Sequence, residues 1–433
     1  MSDSEEPVPK RSKPQLSEDI YLDTIDRKKL DFDFEKICSV SLNNINIYGC
    51  LTCGKYFQGR SPNSVAFNHS ILENHHVFIN FNNFKVYILP ENYEVKSNSL
   101  NDIKYQILPS YTQEDLKKFN DPGFKARDLN GNEYVPGYVG LNNMKNNDYS
   151  NVILQSISHV SLIRDKLLLS SLDSYKDELN KRFIILVKKL WSSKLFKNHI
   201  SPHELLQYIS ILSNKSFGIN EQKDPKDFLI WFLNTLNKTF KSDNDSILSK
   251  AIQGKILIQN QKPGSKEFKD ITTKFWLLNL ELPTVPFLKD SKGIQQIQQV
   301  KLSKLLDVYK TQEEQLLSNG EIRKYKILKL PKFLILNFNR FKDQKLDLKL
   351  SLKERNQTLV EFPLEMEFLG FKYKLISNVI NQVETNQDHD KNQWKVQLRH
   401  HDNWFEIEDL YVKTKEKEFL FLSETYIQIW ERI

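Results

Sequence analysis

The stretch that decides the fold is residues 140–154, GLNNMKNNDYSNVIL. Its first half is polar, and its second half has the apolar spacing of a helix. Asp148 stands where that helix is predicted to begin, and a carboxylate there can cap free N–H groups and complement the helix dipole. No cysteine follows Cys53 in the chain. The segment therefore predicts a helix start that carries a carboxylate and no thiol.

The composition is that of a globular protein. The chain has 433 residues, 39% hydrophobic and 12% aromatic, enough for sizeable cores in two or three domains. Its 62 basic and 55 acidic side chains give a net charge of +7, which permits contact with a ribonucleoprotein without demonstrating it. No run approaches the roughly 18 apolar residues of a membrane span, and the N-terminus lacks a secretory segment. We expect an intracellular protein with no membrane contact and no small-molecule substrate.

Changes in composition divide the chain into four segments. Residues 1–17 are polar and predict a disordered tail. Residues 18–111 have the short aromatic and β-branched runs of a small α+β module, residues 112–136 carry the turn signals of a connector, and residues 137–433 form the body. In the body, helical periodicity comes first and strand-like runs follow, which indicates an α+β domain rather than a doubly wound sheet. The predicted helical segments are residues 150–169, 182–194 and 227–236.

Two pairs of metal-binding residues lie close together in the N-terminal module. Their spacing is C-x2-C-x15-H-x5-H, and two thiolates with two neutral imidazoles can complete a tetrahedral zinc shell. The predicted ligands are Cys50, Cys53, His69 and His75. Cys38 and His76 can replace one of them, although a buried free cysteine and a surface histidine are the simpler interpretation. A closed shell leaves no place for water, so the predicted zinc is structural.

The sequence around these pairs resembles the zinc finger of ubiquitin proteases. The resemblance is carried by FDFEKICSVSL, YGCLTCGKYFQGR and HHVFINF, between residues 30 and 90. Members of that family often hold several zinc ions. Here the positions of a second shell are Ser41, Gln58 and Val65, so the resemblance implies one ion. Ubiquitin-binding members grip the free ubiquitin tail with an arginine followed by an aromatic residue, whereas Ser61 follows Arg60 in this chain.

The body, from Tyr138 to Ile433, resembles the ubiquitin-specific protease family. Residues 140–154 resemble its cysteine box, G-L-x-N-x-G-N-T-C-Y-x-N-x-x-L-Q. Further matches follow in the family's order: KDPKDFLIWFLNTL, FLILNFNRF, NWFEIEDLYV and ETYIQIW. The resemblance implies an α+β chain in which a small zinc-finger domain precedes a papain-like fold with a helical thumb and a β-rich palm and fingers.

The catalytic residues of that family do not carry over. Such a protease needs a thiolate nucleophile, a histidine base, an acid that orients the histidine and donors to the oxyanion. In the family's register Asp148 holds the nucleophile position and Gln393 the histidine position. Asn143 matches the oxyanion donor, and Glu408 or Asp409 the orienting acid. The resemblance implies a pseudoenzyme. A residual deubiquitinase with a carboxylate nucleophile is the weaker alternative, because carboxylates attack amides poorly and no base is in register.

A narrower resemblance is to the non-catalytic, ubiquitin-protease-like splicing factors of the tri-snRNP. It is carried by YLDTIDRKKLDFDFEKICSVSL, by SPHELLQ, by LSETYIQIW and by the box residues Lys145, Asn147 and Asp148. That group supports tri-snRNP integrity and the joining of the tri-snRNP to the spliceosome. The resemblance implies a scaffold whose partners are tri-snRNP proteins, with an indirect or weak RNA contact. A ubiquitin-binding adaptor outside splicing is the alternative.

The same resemblance implies a nuclear location. Lys10, Arg11 and Lys13 in the tail form either an import signal or a solvated basic patch, and the short run favours neither.

Overall fold

The structure is a computed structural model, and the residues it describes are 21–264, 267–283, 298–311, 314–316, 320–341, 355–385 and 390–433. The predicted disordered tail, residues 1–17, and its candidate import signal lie outside these residues. Contacts divide the chain into two compact units, Met1–Ile107 and Leu108–Ile433. Within the described residues, no helix is long and apolar enough to cross a membrane.

The first unit is an antiparallel sheet with two helices. Its strands are β1 (Ile47–Cys50), β2 (Tyr56–Gln58), β3 (Val77–Asn80), β4 (Val86–Ile88) and β5 (Tyr93–Val95), and its helices are α1 (Val65–Leu72) and α2 (Asn101–Ile107). The strands pair in the order β2-β1-β3-β4-β5. β1, β3 and β4 are buried along their whole length, which explains why their sequences are short apolar runs without alternation.

The first half of the second unit is mainly helical. Its helices are α3 (Gln113–Phe119), α4 (Asp148–Ser158), α5 (Ser161–Leu169), α6 (Glu178–Leu190), α7 (His203–Leu212), α8 (Pro225–Ser242) and α9 (Ile247–Ile252). Side-chain caps define several of their starts: Asp177 accepts the N–H of Leu179 at α6, and Asp224 accepts that of Lys226 at α8. Short strands also occur here: β6 (Ala126–Arg127), β7 (Glu133–Tyr134), β8 (Gly140–Leu141) and β9 (His199–Ile200).

The second half of this unit is mainly strands. The first strands are β10 (Gly254–Gln261), β11 (Lys269–Phe275), β12 (Leu277–Glu281) and β13 (Gln299–Lys301), and helix α10 (Leu302–Lys310) follows them. The remaining strands are β14 (Gln315–Leu316), β15 (Ile322–Lys329), β16 (Phe333–Asn339), β17 (Leu359–Glu361), β18 (Glu365–Phe368), β19 (Phe371–Thr385), β20 (Asp390–His400), β21 (Asn403–Glu408), β22 (Tyr411–Lys415) and β23 (Glu424–Arg432). One sheet has four strands, in the order β11-β10-β15-β14. A second sheet has eight, in the order β12-β16-β23-β19-β20-β21-β22 with β18 beside β19, and β13 pairs with β17 in a two-stranded sheet. Helices that precede strands agree with the α+β prediction.

Two sequence expectations need correction. Residues 112–136, expected as a connector with turn signals, include a packed helix: α3 begins with a capping box between Thr112 and Asp115, and Leu116 and Phe119 are buried in the core of the second unit. The helix expected over residues 150–169 is two helices, because the chain turns extended at Val160 between α4 and α5. Both errors arise where apolar residues and turn signals occur together, so that local sequence does not show which of them decides the structure.

Candidate functional site

The four predicted zinc ligands come together in the first unit. Their ligand atoms all lie within 4.8 Å of one another. His69 Nε2 is 3.5 Å from Cys53 Sγ and 3.0 Å from His75 Nδ1. Ligands at zinc distances of about 2.0–2.3 Å in a tetrahedron stand roughly 3.3–3.8 Å apart, so the two sulfurs and two nitrogens fit a zinc ion in donor type and spacing.

Three elements hold these ligands. Cys50 ends β1, Cys53 lies in the turn that follows, and His69 lies in the last turn of α1. Gly54 closes the turn with a positive φ of 75°, and a Cβ there would lie 2.3 Å from the carbonyl oxygen of Lys29. Only glycine fits this close approach, which holds Cys53 facing Cys50.

The two thiols are hydrogen-bonded to each other, and this bond shifts the pKa of both. The hydrogen bond with Cys50 lowers the pKa of the Cys53 thiol to about 4, and the same bond followed by burial raises the pKa of Cys50. The contact with Cys50 therefore favours the thiolate form of Cys53, which is the form that binds a metal ion.

The spare candidates have other partners. His76 contacts the Leu89 carbonyl oxygen at 2.7 Å and the Asn74 side chain at 2.8 Å. Cys38 is fully buried, and its sulfur accepts the N–H of Ser41 at 3.4 Å. The Ser41 hydroxyl in turn donates to Gln58 at 2.9 Å, so two positions of the absent second shell are joined by a hydrogen bond. Neither Cys38 nor His76 belongs to the group of four ligand atoms.

Arg60 is held by its own neighbours. Its guanidinium lies 4.1 Å from the ring centroid of Tyr87 and donates to the Asn92 side chain. The arginine therefore already has an aromatic face and a polar acceptor within its own unit.

In the second unit, Asp148 is the first residue of α4, and Asn147 is the N-cap residue. The Asp148 side chain is 5% exposed, which makes its hydrogen-bond donors important. One carboxylate oxygen accepts the Gln222 side-chain amide at 2.6 Å and the Trp394 backbone N–H at 3.1 Å. The carboxylate lies in the first turn of a helix, as expected, but these two donors come from other segments of the chain.

The histidine position holds an amide. Gln393 lies within β20, and its side chain donates to Glu408. Glu408 also forms an ion pair with Lys395, whose Nζ is 2.8 Å away and whose side chain is 8% exposed. The acid that would orient a histidine is thus engaged by an amide and an ammonium group.

The remaining predicted site residues form a second pair. Asn143 donates to Asp409 at 3.0 Å. Burial raises the pKa of the Asp409 carboxyl, the bond from Asn143 opposes that rise, and the charges of Asp148 and Glu408 add to it. The structure therefore brings all five predicted positions into one region: Asn143, Asp148, Gln393, Glu408 and Asp409.

Sequence reasoning missed three contributors to this region. Gln222 bridges Asp148 and the Asn392 carbonyl oxygen, the latter at 3.1 Å. Lys395 neutralises Glu408, and the backbone N–H of Trp394 is a donor that no side-chain pattern reveals. Gln222 stands two residues before the α8 cap Asp224, so its place next to a helix start was the one available signal.

A backbone approach brings the two sides of the site together. A Cβ on Gly140 would lie 2.6 Å from the Cα of Leu410 and 2.8 Å from the carbonyl oxygen of Asp409. The N–H of Leu141 donates to the same Asp409 oxygen at 3.0 Å. Glycine at this position therefore lets β8 reach the turn that carries Asp409.

The fold agrees with what comparison to known proteins finds. Residues 139–430 match the model of the ubiquitin carboxyl-terminal hydrolase family, and residues 38–100 match that of the zinc finger in ubiquitin hydrolases and other proteins. The chain belongs to the ubiquitin carboxyl-terminal hydrolase family. The predicted architecture, a zinc-finger domain followed by a ubiquitin-specific-protease fold, is confirmed.

Within that family the chain is similar to splicing factors. It is 38% identical to the probable mRNA-splicing protein ubp10 of Schizosaccharomyces pombe, over 97% of this chain and 89% of that protein. It is 39% identical to the pre-mRNA-splicing factor SAD1 of Saccharomyces cerevisiae, over 98% and 95% of the two chains. A crystal structure of an essential yeast splicing factor superposes with a TM-score of 0.82 at 38% identity, covering 95% of this chain and 99% of that one.

A more distant structure shows the common fold alone. The Ubp8 deubiquitinating module of SAGA bound to monoubiquitin matches with a TM-score of 0.53 at 18% identity, over 93% of this chain and 91% of that one. The two splicing factors and the crystal structure described above confirm the resemblance to the splicing group of the family.

Proposed function

We propose that this protein is a non-catalytic scaffold in pre-mRNA splicing that supports the tri-snRNP and its joining to the spliceosome. The observation that carries the proposal is the similarity, over nearly the whole of each chain, to proteins named as splicing factors. The proposal places the protein in the nucleus, with spliceosomal tri-snRNP proteins as its partners.

The polar network at the family's catalytic positions supports a pseudoenzyme. The Asp148 carboxylate accepts N–H donors from two sides, which stabilises the anion and reduces its reactivity. The amide of Gln393 cannot take a proton from a nucleophile or give one to a leaving amine at neutral pH. These positions therefore hold neither the thiolate nucleophile nor the histidine general acid–base of an acyl-transfer mechanism.

Contacts around the cysteine-box loop support the same conclusion. Lys145 donates to the Asn220 side chain at 3.0 Å, and Asn146 donates to the Asn220 carbonyl oxygen at 2.8 Å. Gln222 joins this segment to Asn392 at the other side of the site. A ubiquitin tail that entered between these segments would have to break these hydrogen bonds.

For the first unit we propose one structural zinc ion, held by the group of four ligands, and no grip on a ubiquitin tail. Arg60 is stacked on Tyr87 and bound to Asn92, so a tail carboxylate would have to compete with these contacts. A ubiquitin-binding adaptor is the alternative function. Ubiquitin titrated into the full-length protein, with binding followed by NMR of labelled ubiquitin, separates the two.

The test of the proposed function is rapid depletion of the protein in cells, followed by rescue. We expect unspliced pre-mRNA to accumulate and the tri-snRNP to decrease. Wild-type protein and the Asp148→Asn variant should rescue equally, because asparagine keeps an acceptor oxygen and no chemistry is proposed at this position. Normal splicing after depletion would contradict the proposal. Failure of a stable Asp148→Asn protein would assign a direct role to the carboxylate.

A further inference from the structure

One face of the four-stranded sheet presents lysines in a regular arrangement. We propose that this face binds single-stranded RNA, through phosphate contacts to the lysines and stacking on one aromatic ring. The face, called here the lysine face, is lined by Lys255, Lys274, Lys324, Lys326, Lys329 and Phe268. The choice of RNA as the polyanion rests on the proposed role in splicing.

Strand register creates the arrangement. Lys255 on β10 lies directly opposite Lys274 on β11 and directly opposite Lys329 on β15. Neighbouring strands are about 4.8 Å apart, so the three lysines lie in one row across three strands, next to a register irregularity between Lys255 and Ile256 in the pairing of β10 with β15. All three side chains are exposed, and among the described residues none of them forms an ion pair. Like charges placed directly opposite destabilise a sheet, and a bound polyanion would relieve the repulsion.

The row continues toward the end of the sheet. Lys326 pairs with Leu257 and Lys324 pairs with Gln259, positions that share the face of Lys255 because side chains alternate along a strand. The Nζ of Lys324 lies 4.6 Å from the ring centroid of Phe268, which is half-buried. An aromatic ring therefore lies within the basic face, at the end away from the lysine row.

Acidic groups offset only part of this charge. Asp270 accepts the Gln259 side chain at 3.1 Å, and Glu314 pairs with Lys324 at 3.0 Å. Five lysines against these two carboxylates leave a net positive face. Charge and aromatic stacking together are how proteins hold a single strand of nucleic acid, whereas an acidic peptide needs no stacking platform.

The opposite face of the same sheet is packed into the core. Ile256, Ile258, Tyr325 and Ile327 belong to a hydrophobic cluster that includes residues of α10, and the rings of Tyr309 and Tyr325 are 5.6 Å apart. The sheet is therefore two-sided, with the lysines on the solvent side.

Protection against aggregation does not explain the row. Lysines commonly guard the exposed edge strands of sheets. Lys274 lies on such an edge strand, but Lys255 lies on β10, which has a hydrogen-bonded neighbour on each side. An interior strand has no free edge to protect, so edge protection does not explain why Lys255 stands between two other lysines.

The test uses the full-length protein and a fluorescein-labelled 20-nucleotide oligouridine, with fluorescence anisotropy at several salt concentrations. The variant Lys255→Gln/Lys274→Gln/Lys329→Gln should bind about tenfold more weakly or worse. Its slope of log affinity against log salt should fall by about 2, since each phosphate contact contributes about 0.7 on a single strand. Phe268→Ala should weaken binding about fivefold or more and leave the slope unchanged, because stacking carries no charge.

A matched control removes the same charge elsewhere. Lys215, Lys238 and Lys241 are exposed in the helical half, and their triple change to glutamine should leave the affinity within about twofold. Zinc content equal to that of the wild type and a melting temperature no lower than that of the wild type show that each variant is folded. Wild-type affinity in the Lys255 triple variant, equal weakening in both triple variants, or wild-type affinity in Phe268→Ala would overturn the proposal.

Competition separates RNA from an acidic protein segment. Polyglutamate should displace the oligouridine only at a much higher concentration of charge, and displacement at equal charge would overturn the RNA assignment. Loss of the RNA proposal would leave the splicing function standing, because depletion and rescue test that function without reference to this face.

Discussion

At the scale of single residues, the proposed pseudoenzyme site depends on how the buried carboxylate of Asp148 is held. A buried carboxylate is tolerated when donors surround it, and Asp148 receives them from the Gln222 side chain and the Trp394 backbone. The result is a polar link between α4, the segment that precedes α8, and β20. Removing either donor would leave a buried anion short of partners, so the substitution at position 148 and its surroundings depend on each other.

The first prediction concerns Asp148→Cys. A thiol at the start of α4 gains some acidity from the helix dipole. We expect no hydrolysis of a fluorogenic ubiquitin substrate, because Gln393 cannot move protons and general acid–base catalysis contributes about 10²–10⁴-fold. Asp148→Cys with Gln393→His should also be poor, since Lys145, three residues before the new thiol, keeps the cysteine-box loop bound to Asn220. Turnover by the single variant would show that another group supplies the base.

The sequence pointed to most residues of the site, but not to the hydrogen bonds and ion pairs that join them. Asp148 and Gln393 follow from the order of residues along two segments. The bonds of Gln222 and Lys395 do not, because each joins positions brought together only by the fold, such as residues 148, 222 and 392. A backbone donor such as the Trp394 N–H carries no sequence signal at all.

At the scale of elements, the proposed zinc site is formed by a strand, a helix and a turn, each of which is too short to be stable by itself. β1 has four residues, α1 has eight, and the turn between Cys50 and Gly54 needs a positive φ. Isolated helices of that length are unstable in water, so the ligands must help to hold α1 against the sheet. Ligand spacing was predictable from sequence because both pairs are local, whereas the folded nature of residues 112–136 was not, because Leu116 and Phe119 pack against distant helices.

The second prediction compares two cysteine substitutions. Cys53→Ser should abolish zinc binding and unfold the first unit, because metal binding and folding are coupled in such domains. Cys38→Ser is the matched control: its sulfur lies outside the group of four ligand atoms, so zinc should be retained. Elemental analysis gives the zinc per chain, and proteolysis within residues 21–107 reports unfolding. Full retention of zinc by Cys53→Ser would refute the assignment of the ligands, and a folded, zinc-free Cys53→Ser unit would refute the coupling of zinc binding to folding.

The positions of the tryptophans provide a spectroscopic control for this experiment. All six tryptophans lie beyond residue 107, at positions 191, 231, 276, 394, 404 and 430. Tryptophan fluorescence therefore reports only the second unit, and we expect the fluorescence of Cys53→Ser to match that of the wild type. A shifted emission would mean that loss of the zinc ion also disturbs residues 108–433.

At the scale of the whole molecule, sequence predicted the order of helices and strands but not how the strands assemble. β12 pairs in parallel with β16 across more than fifty residues, and β19 lies between β20 and β23. The lysine face has the same origin: Lys255, Lys274 and Lys329 are scattered in sequence and adjacent only through register. Composition alone reports a mild charge of +7 and hides its concentration on one sheet.

The last prediction concerns the acid stability of the second unit. His159 at the end of α4 and His400 at the end of β20 are both buried, with ring centroids 4.8 Å and 4.9 Å from that of Tyr138. Mainly through burial, the pKa of His159 is lowered to about 3 and that of His400 to about 4, and the charge of Arg164 contributes to both shifts. In the unfolded chain each imidazole takes up a proton below about pH 6.5.

The sign of the effect follows from this difference. Between about pH 6.5 and pH 4 the unfolded chain binds more protons, so the free energy of unfolding falls as the pH is lowered, by up to about 2.7 kcal/mol per pH unit for two groups. Urea unfolding followed by tryptophan fluorescence from pH 7.5 to pH 5 measures the slope. His159→Gln should remove about half of it, whereas the same change at exposed His401 should leave it intact. An unaltered slope in His159→Gln would mean that this imidazole is protonated in the folded protein.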